Sequence, residues 1–352
     1  MKYSITITPR TLHFKQPAGT SRGVYTTRKS WLLEVTSTHY PGRKGIGECA
    51  PLPDLSCDAG DTYEQTLCEM CRSVEATGRI DYDLLRPYPS MLFGLETALL
   101  NLQRGNAALF DTPFSRGEEG IPINGLVWMG DFDQMLSRLE EKMKAGFRCV
   151  KLKIGAIDFE KEMELIRHIR NSFDKNQIEL RVDANGGFTP EEALGKLERL
   201  ARYDIHSIEQ PIRQHQWKEM ARLCAMSPLP IALDEELIGV NDRAQKEALL
   251  DAIRPAYIIL KPSLHGGMYG ASEWIGMARE RGIGSWITSA LESNIGLNAI
   301  AHFTAHTYGR GITMPQGLGT GALFTDNINM PIEVRGDQLW FCTTPHKERN
   351  EE

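Results

Sequence analysis

The 352-residue chain has no long apolar stretch. Its longest run free of Asp, Glu, Lys and Arg is Ser293–Gly309, which holds His302, His306, two Asn and two Gly. A membrane-spanning helix needs about 20 mostly apolar residues, so no membrane partner is expected. The stretch from Met1 to Ile7 alternates polar and apolar residues and lacks the apolar centre of an export signal. Basic charge is not in excess either: 40 Lys and Arg against 46 Asp and Glu leave a net charge of −6. Nucleic-acid binders carry a basic face, so no nucleic-acid partner is expected. Cysteine is sparse and odd in number, seven in all, and Cys68-Glu-Met-Cys71 has no second pair and no Gly or Pro turn. Two turn-spaced cysteines on a helix explain it better than a zinc or redox site. The expected compartment is reducing, the cytoplasm.

What is present describes a globular protein. The chain is 41% apolar and 24% charged, too apolar for a disordered one. Residues 1–118 read as one unit. Tyr3–Leu12 and Ser30–Ser37 alternate like antiparallel strands. Gly45–Pro53 is turn-rich and cannot be a central strand. Asp61–Glu75 and Ser90–Arg104 read as helices, the second with Ser90 as N-cap and Leu92, Leu95, Leu99 and Leu102 at helical spacing. Strands followed by helices suggest a small α+β domain.

From residue 119 the pattern becomes strand, loop, helix, repeated. The strand runs are Ile121–Gly125, Cys149–Lys153, Leu180–Asp183, Ser207–Glu209, Ile231–Asp234, Tyr257–Lys261, Gly284–Thr288 and Ile312–Gly317. Six of them close on Lys153, Asp183, Glu209, Asp234, Lys261 and Thr288, separated by 30, 26, 25, 27 and 27 residues. A strand plus crossover helix needs about that length. Eight such units predict an α/β protein with a (β/α)8-type barrel over residues 119–325. The tail, 326–352, is expected to return to the first domain. The pattern is weakest at His265–Gly270, where the helix after strand six opens on glycines.

In a barrel the C-terminal strand ends share one mouth, where active sites sit. Asp183, Glu209 and Asp234 close three successive strands there. Each alone would read as a solvated strand end or a helix cap. Three at one register would repel unless a cation lay between them. Hard oxygens without His or Cys favour Mg²⁺ over Zn²⁺, with Mn²⁺ as a substitute. In Lys151-Leu-Lys153 both lysines share a strand face, and Lys261 lies across the mouth. These lysines either pair with the acids or serve as bases, and both roles are compatible. Crowding cations around a lysine favours its neutral form, which a base near neutral pH needs. Lysine, metal, lysine suits removal of a proton next to a carboxylate, the resulting enediolate being neutralised by positive charge.

The segments Val150–Gly155 (VKLKIG), Arg181–Asn185 (RVDAN), Ile208–Pro211 (IEQP), Ala232–Glu235 (ALDE) and Leu260–Pro262 (LKP) resemble the enolase superfamily in its muconate-lactonising subgroup. That superfamily is known for a Lys or His base working with Mg²⁺. The resemblance implies a capping domain, built from the N-terminal part and the C-terminal tail, over the barrel mouth. It implies Lys153 as base and then acid on one substrate face, Lys261 holding the enediolate by charge, and Lys151 supporting Lys153 and the substrate carboxylate. It implies Asp183, Glu209 and Asp234 as metal ligands. Ser289–Gly296 and Gln316–Thr325 are most similar to the subgroup's dehydratases of a cyclohexadiene carboxylate in the menaquinone pathway. Racemases of N-acyl amino acids and dipeptide epimerases stay open, and a non-catalytic carboxylate-binding barrel is the reading from another class. Epimerases carry an acidic pair near the end of strand eight, whereas Gly317–Gly321 has no acid and offers N–H donors and room. The expected partner is a small-molecule carboxylate, and a homo-oligomer is compatible with the sequence. Expected substrate contacts are Asn185, Ser289, Glu292, Gly317, Gly319, Arg22 in a cap loop and Leu55 as an apolar wall.

Overall fold

The computed structural model describes residues 2–20, 23–128, 132–155 and 158–343. Arg22 and residues 344–352 lie outside them. The chain begins with a long antiparallel hairpin, β1 (Tyr3–Thr20) and β2 (Gly23–Ser37), and β3 (Gly45–Cys49) pairs with β2 at the edge of the sheet. The hairpin outruns the two alternating segments of the sequence. The turn-rich stretch is in part a strand, though not a central one. Its glycines serve a close approach: a Cβ on Gly47 would lie 2.0 Å from the Gly94 carbonyl oxygen. Trp31, Leu33 and Val35 alternate inward and pack under helices α1 (Tyr63–Thr77) and α3 (Pro89–Arg104), the short α2 (Tyr82–Leu85) lying between them. Helix α3 starts one residue before the expected point, with Pro89 in its first turn and Tyr88 at the cap. Ser90 is not the N-cap; its hydroxyl meets Asp58 at 2.7 Å and Tyr63 at 2.6 Å inside the cap core.

The barrel sheet runs β5 (Gly125–Val127), β6 (Cys149–Lys153), β7 (Glu179–Asp183), β8 (Ile205–Glu209), β9 (Ile231–Leu233), β10 (Tyr257–Leu260) and β11 (Gly284–Ile287), all parallel. The helices after these strands are α4 (Phe132–Lys144), α5 (Phe159–Ser172), α6 (Pro190–Leu200), α7 (Trp217–Met226), α8 (Arg243–Ile253), α9 (Gly267–Glu280) and α10 (Asn294–Tyr308). Apolar residues at strand spacing and helix spacing meet between sheet and helices in one large core. Two of the expected strands differ. The first run is divided: β4 (Ile121–Pro122) turns away, and the barrel strand starts at Gly125. The eighth is only a pair of single bridges, Gln316 to Ile123 and Gly317 to Thr288. Its glycines and Pro315 make a poor ladder. Backbone bonds still close the seam on both sides, Gln316 N–H to the Pro122 carbonyl at 2.8 Å and Gly317 N–H to the Ile287 carbonyl at 2.9 Å. Side chains add to them: Arg181 inside the barrel donates to the Pro315 carbonyl at 2.9 Å, and Gln316 accepts from the Ile287 amide at 2.7 Å.

The chain after the barrel touches both the first hairpin and the short strand β4. Around Phe324 it meets the β1–β2 hairpin, with the Thr325 amide on the His13 carbonyl at 2.9 Å. Further on, β12 (Ile332–Arg335) and β13 (Gln338–Phe341) form a hairpin that pairs with β4, not with the β1–β3 sheet. Among the described residues no helix is long and apolar enough to cross a membrane.

Candidate active site

Parallel register sets the site. Lys153 lies opposite Asp183, and Asp183 opposite Glu209, on neighbouring strands. Asp234 follows β9 directly and Lys261 follows β10, so all five reach the C-terminal mouth. The acids are fully buried and the three lysines nearly so. Lys151 Nζ donates to Asp183 at 3.0 Å and to Glu209 at 2.7 Å. Lys153 Nζ donates to the same Asp183 oxygen at 2.6 Å and to Asn185 Oδ1 at 2.8 Å. Across the mouth, Lys261 Nζ is in close contact with Asp234 Oδ2.

The charges shift one another. Burial alone would raise Asp183, but the Lys151 and Lys153 ammoniums hold its carboxyl well below the usual range. Burial opposes Asp234 too, and Lys261 overcomes it, keeping that carboxyl low. Glu209 is pushed well up, by burial and then by the charge of Asp183. Burial would lower Lys151 and Lys261, but the facing carboxylates hold both above the ordinary lysine value.

Among the described residues no three Asp, Glu, His or Cys side chains converge as a preset metal cage. The ammonium groups lie on their oxygens instead. The residues nevertheless fit a hard divalent cation. Glu209 Oε1 and Asp234 Oδ1 are buried without a hydrogen-bond partner, and the donor set is all oxygen. A cation would also offset the burial and the repulsion that keep Glu209 high.

Above these groups lies a cavity of about 120 Å³. The three lysines, Asn185 and Glu235 are among its lining residues. The cap contributes Tyr25, Leu52 and Leu55, and the barrel loops add Trp128 and Leu291. Ser289, Gly317 and Gly319 also reach the wall, and the Ser289 hydroxyl pairs with that of Thr320 at 2.7 Å. Of the expected substrate contacts, Asn185, Leu55, Ser289, Gly317 and Gly319 therefore reach the cavity. Arg22 lies outside the described residues. Glu292 does not line the cavity: it is turned into the protein, where one oxygen takes the Ser263 hydroxyl and the other the Ala290 amide at 2.7 Å. His265 is structural, its Nδ1 accepting the Lys261 amide at 2.8 Å while burial pushes its pKa down to about 3.

Several residues here were not singled out from sequence. Glu235 sits beside Asp234, buried, and accepts from Asn185 Nδ2 at 2.9 Å. An acid next to a strand-end acid was the available signal. Arg28 of β2 is buried and donates to the Leu291 carbonyl at 3.1 Å, while its other nitrogens hold the Ala50 and Pro51 carbonyls. It ties the cap loop and the loop after β11 together at the cavity edge. No local sequence pattern marks such a cross-domain arginine.

Residues 134–340 match the family described as Enolase C-terminal domain-like, and the chain belongs to the enolase superfamily, among its muconate-lactonising-like enzymes. It is 48% identical to the o-succinylbenzoate synthase of Desulfotalea psychrophila, with 93% of this chain and 96% of that protein covered. The crystal structure of MenC from the same organism is similar at 43% identity and a TM-score of 0.82, covering 97% of this chain and 100% of that one. A dipeptide epimerase from Enterococcus faecalis, solved with Mg and the dipeptide L-Leu-L-Tyr, shares the fold at a TM-score of 0.83 and 20% identity, with 97% of each chain covered.

Proposed function

We propose that this chain catalyses the o-succinylbenzoate synthase reaction, the syn dehydration of 2-succinyl-6-hydroxy-2,4-cyclohexadiene-1-carboxylate to 2-succinylbenzoate in menaquinone biosynthesis. The supporting observation is a cavity with Lys153 on strand β6 and Lys261 beyond β10, across the barrel, with three buried acids between them. The likeness to the Desulfotalea psychrophila enzyme over nearly the whole chain supports the substrate.

In this reading Lys153 Nζ takes the proton from the carbon bearing the carboxylate, giving an enediolate. The C–O bond to the 6-hydroxyl then breaks, and Lys153 returns the proton to the departing oxygen as water, on the same face. Lys261 supplies fixed positive charge from the other side, and Lys151 holds Asp183 and Glu209 in place. Asp183, Glu209 and Asp234 would hold Mg²⁺, with Mn²⁺ as a substitute. Bound there, the cation adds positive charge where the substrate carboxylate gains negative charge. Asn185, Ser289, Gly317, Gly319 and Leu55 line the cavity and would contact the substrate. Residues 1–118 with the returning tail serve as the cap and 119–325 as the catalytic barrel. The seven free cysteines suit the cytoplasm.

Racemisation of N-succinyl amino acids would use the same two lysines as a base pair, one on each face. Dipeptide epimerisation is disfavoured because Gly317–Gly321 brings no acid to the cavity wall for a substrate ammonium. The test is to assay purified protein with the cyclohexadiene acid and with N-succinyl amino acids. Chelation should abolish dehydration and Mg²⁺ should restore it. Undiminished turnover by metal-free protein would defeat the metal assignment. Faster two-face deuterium exchange on N-succinyl amino acids than dehydration would favour the racemase. Binding of the acid without turnover would leave a non-catalytic barrel.

A further inference from the structure

Lys153 is gripped from two sides, and only one grip is a charge. Asp183 Oδ2 accepts one of its protons at 2.6 Å and Asn185 Oδ1 another at 2.8 Å. Asn185 sits two residues past the strand in the left-handed region, φ 44°, which Asn tolerates better than most residues. Its amide N–H donates back to Asp183 Oδ1 at 3.0 Å, so the turn folds its side chain over the lysine. A carboxamide has one accepting end and one donating end. An ammonium only donates, so Asn185 can hold Lys153 only with Oδ1 forward. Its Nδ2 then points away and needs an acceptor, which Glu235 Oε1, just past the end of β9, supplies at 2.9 Å.

We propose that Glu235 is a positioning residue for the base: by accepting from Asn185 it fixes which end of that amide faces Lys153. The lysine is thereby held at the cavity wall with its stem ordered. Glu235 also lines the cavity, but an action through Asn185 has no further effect once Asn185 is gone. Without the acceptor, the amide gains by rotating, and its donating end then repels the ammonium. The inference rests on the reading of Lys153 as the proton-removing base.

The test is a double-variant cycle on the full-length, metal-loaded protein with Asn185→Ala and Glu235→Leu. A misplaced catalytic group costs up to about 100-fold in rate. Each single variant is expected to lose about 10- to 100-fold in kcat with KM changed by less than about threefold. Deuterium exchange at the α-carbon should fall in the same proportion. The double variant should be no slower than Asn185→Ala, because both changes break one relay. Glu235→Gln keeps an accepting oxygen and should lose at most about threefold. Glu235→Met repeats the cycle if the leucine variant does not fold, as judged by circular dichroism. A crystal structure of Glu235→Leu should show Asn185 turned from Lys153.

Three results would overturn the proposal. The two single effects could multiply, which would mean that Glu235 acts on its own. Glu235→Gln could lose as much as Glu235→Leu, which would make the charge the cause. The crystal structure could keep Asn185 Oδ1 on Lys153 while kcat has fallen. Reading exchange on both the cyclohexadiene acid and an N-succinyl amino acid separates this from the proposed reaction. Wild-type protein that exchanges but does not dehydrate defeats the dehydratase reading while the relay is still measured.

Discussion

Among the described residues, buried acidic side chains concentrate at the barrel mouth and at the junction between cap and barrel, and their partners differ in kind. At the mouth, Asp183, Glu209 and Asp234 face ammonium groups on long stems. At the junction, two cap glutamates face the starts of barrel helices. Glu96 of α3 accepts from the Met268 and Tyr269 amides of α9 at 2.6 and 3.0 Å. Glu48 of β3 accepts from the Ser293 hydroxyl at 2.6 Å and from the Ser293 and Gly296 amides of α10 at 3.1 and 3.0 Å. A helix start presents unpaired N–H groups and a partial positive charge. Those dipoles cannot leave, swing or transfer a proton to a substrate, whereas a lysine side chain is chemically able to do all three. Fixed donors therefore anchor the cap, and mobile cations are confined to the place where protons move. A third junction contact, Arg86 and Lys246 on Glu273, is an ion cluster between helices.

The largest effect expected from this division is at the mouth. Lys153→Ala removes the base, and a positioned base is worth about 10²–10⁴ in rate. It should abolish dehydration and α-proton exchange together. Lys261→Ala should also be slow, and Lys261→Arg, which keeps the charge but cannot serve as a base, should retain more dehydration while showing no racemisation. Rates of both reactions at saturating Mg²⁺ decide it. Exchange that survives Lys153→Ala but not Lys261→Ala would reverse the roles.

The two regions were unequally legible in the sequence. At the mouth, strand alternation puts Lys151 and Lys153 on one face, and the steady interval between strand ends puts the acids at one level. Both follow from local geometry. The junction depends on which surfaces meet after folding. Glu48 and Glu96 lie in the sequence among turn and helix residues with nothing to mark them. The glycine-rich start of α9 looked like a weakness of the barrel pattern, yet it is the counterpart of Glu96: a Cβ on Gly267 would lie 2.4 Å from Glu96 Oε2. Gly45 and Gly47 misled in the same way, reading as a turn where helix α3 needed room on a strand. Glu292 misled by proximity, being close to the site in sequence but turned away from it. The eighth strand shrinks to bridges at Gln316 and Gly317, because Pro315 and the glycines cannot extend a ladder.

The junction anchors should show in stability. Burial, against the two backbone donors, pushes the Glu96 carboxyl up from 4.5 to about 8. In that window the folded state binds more protons than the unfolded chain, so stability falls as pH rises from about 4.5 to about 8 and is flat beyond. Each unit is worth about 1.4 kcal/mol, which makes the loss a few kcal/mol at most. Glu96→Gln removes the titration. Urea unfolding of both proteins at several pH values between 5 and 9 should show wild type losing ground to the variant as pH rises. A constant difference would mean that this carboxyl is not raised.

The smallest effects separate anchoring across domains from capping within one. Glu48→Ala leaves buried donors on Ser293 and Gly296 without an acceptor, at a cost of roughly 1–3 kcal/mol. The loop before α10 carries Ser289 and Leu291 into the cavity, so KM should rise as stability falls. Asp242 caps α8 from its own loop, accepting from the Ala244 and Gln245 amides at 2.9 and 3.2 Å, and is exposed. Asp242→Ala should cost about 1 kcal/mol, and it removes nothing that spans cap and barrel. Its kcat and KM should stay at the wild-type values while its unfolding midpoint drops. Thermal melts and steady-state kinetics on the two variants make the comparison. If Glu48→Ala lowers stability and leaves KM alone, the cap is held by other contacts and Glu48 is only a helix cap that happens to cross a boundary. If Asp242→Ala shifts KM as much as Glu48→Ala does, loosening any barrel helix disturbs the site, and the distinction between the two kinds of cap fails.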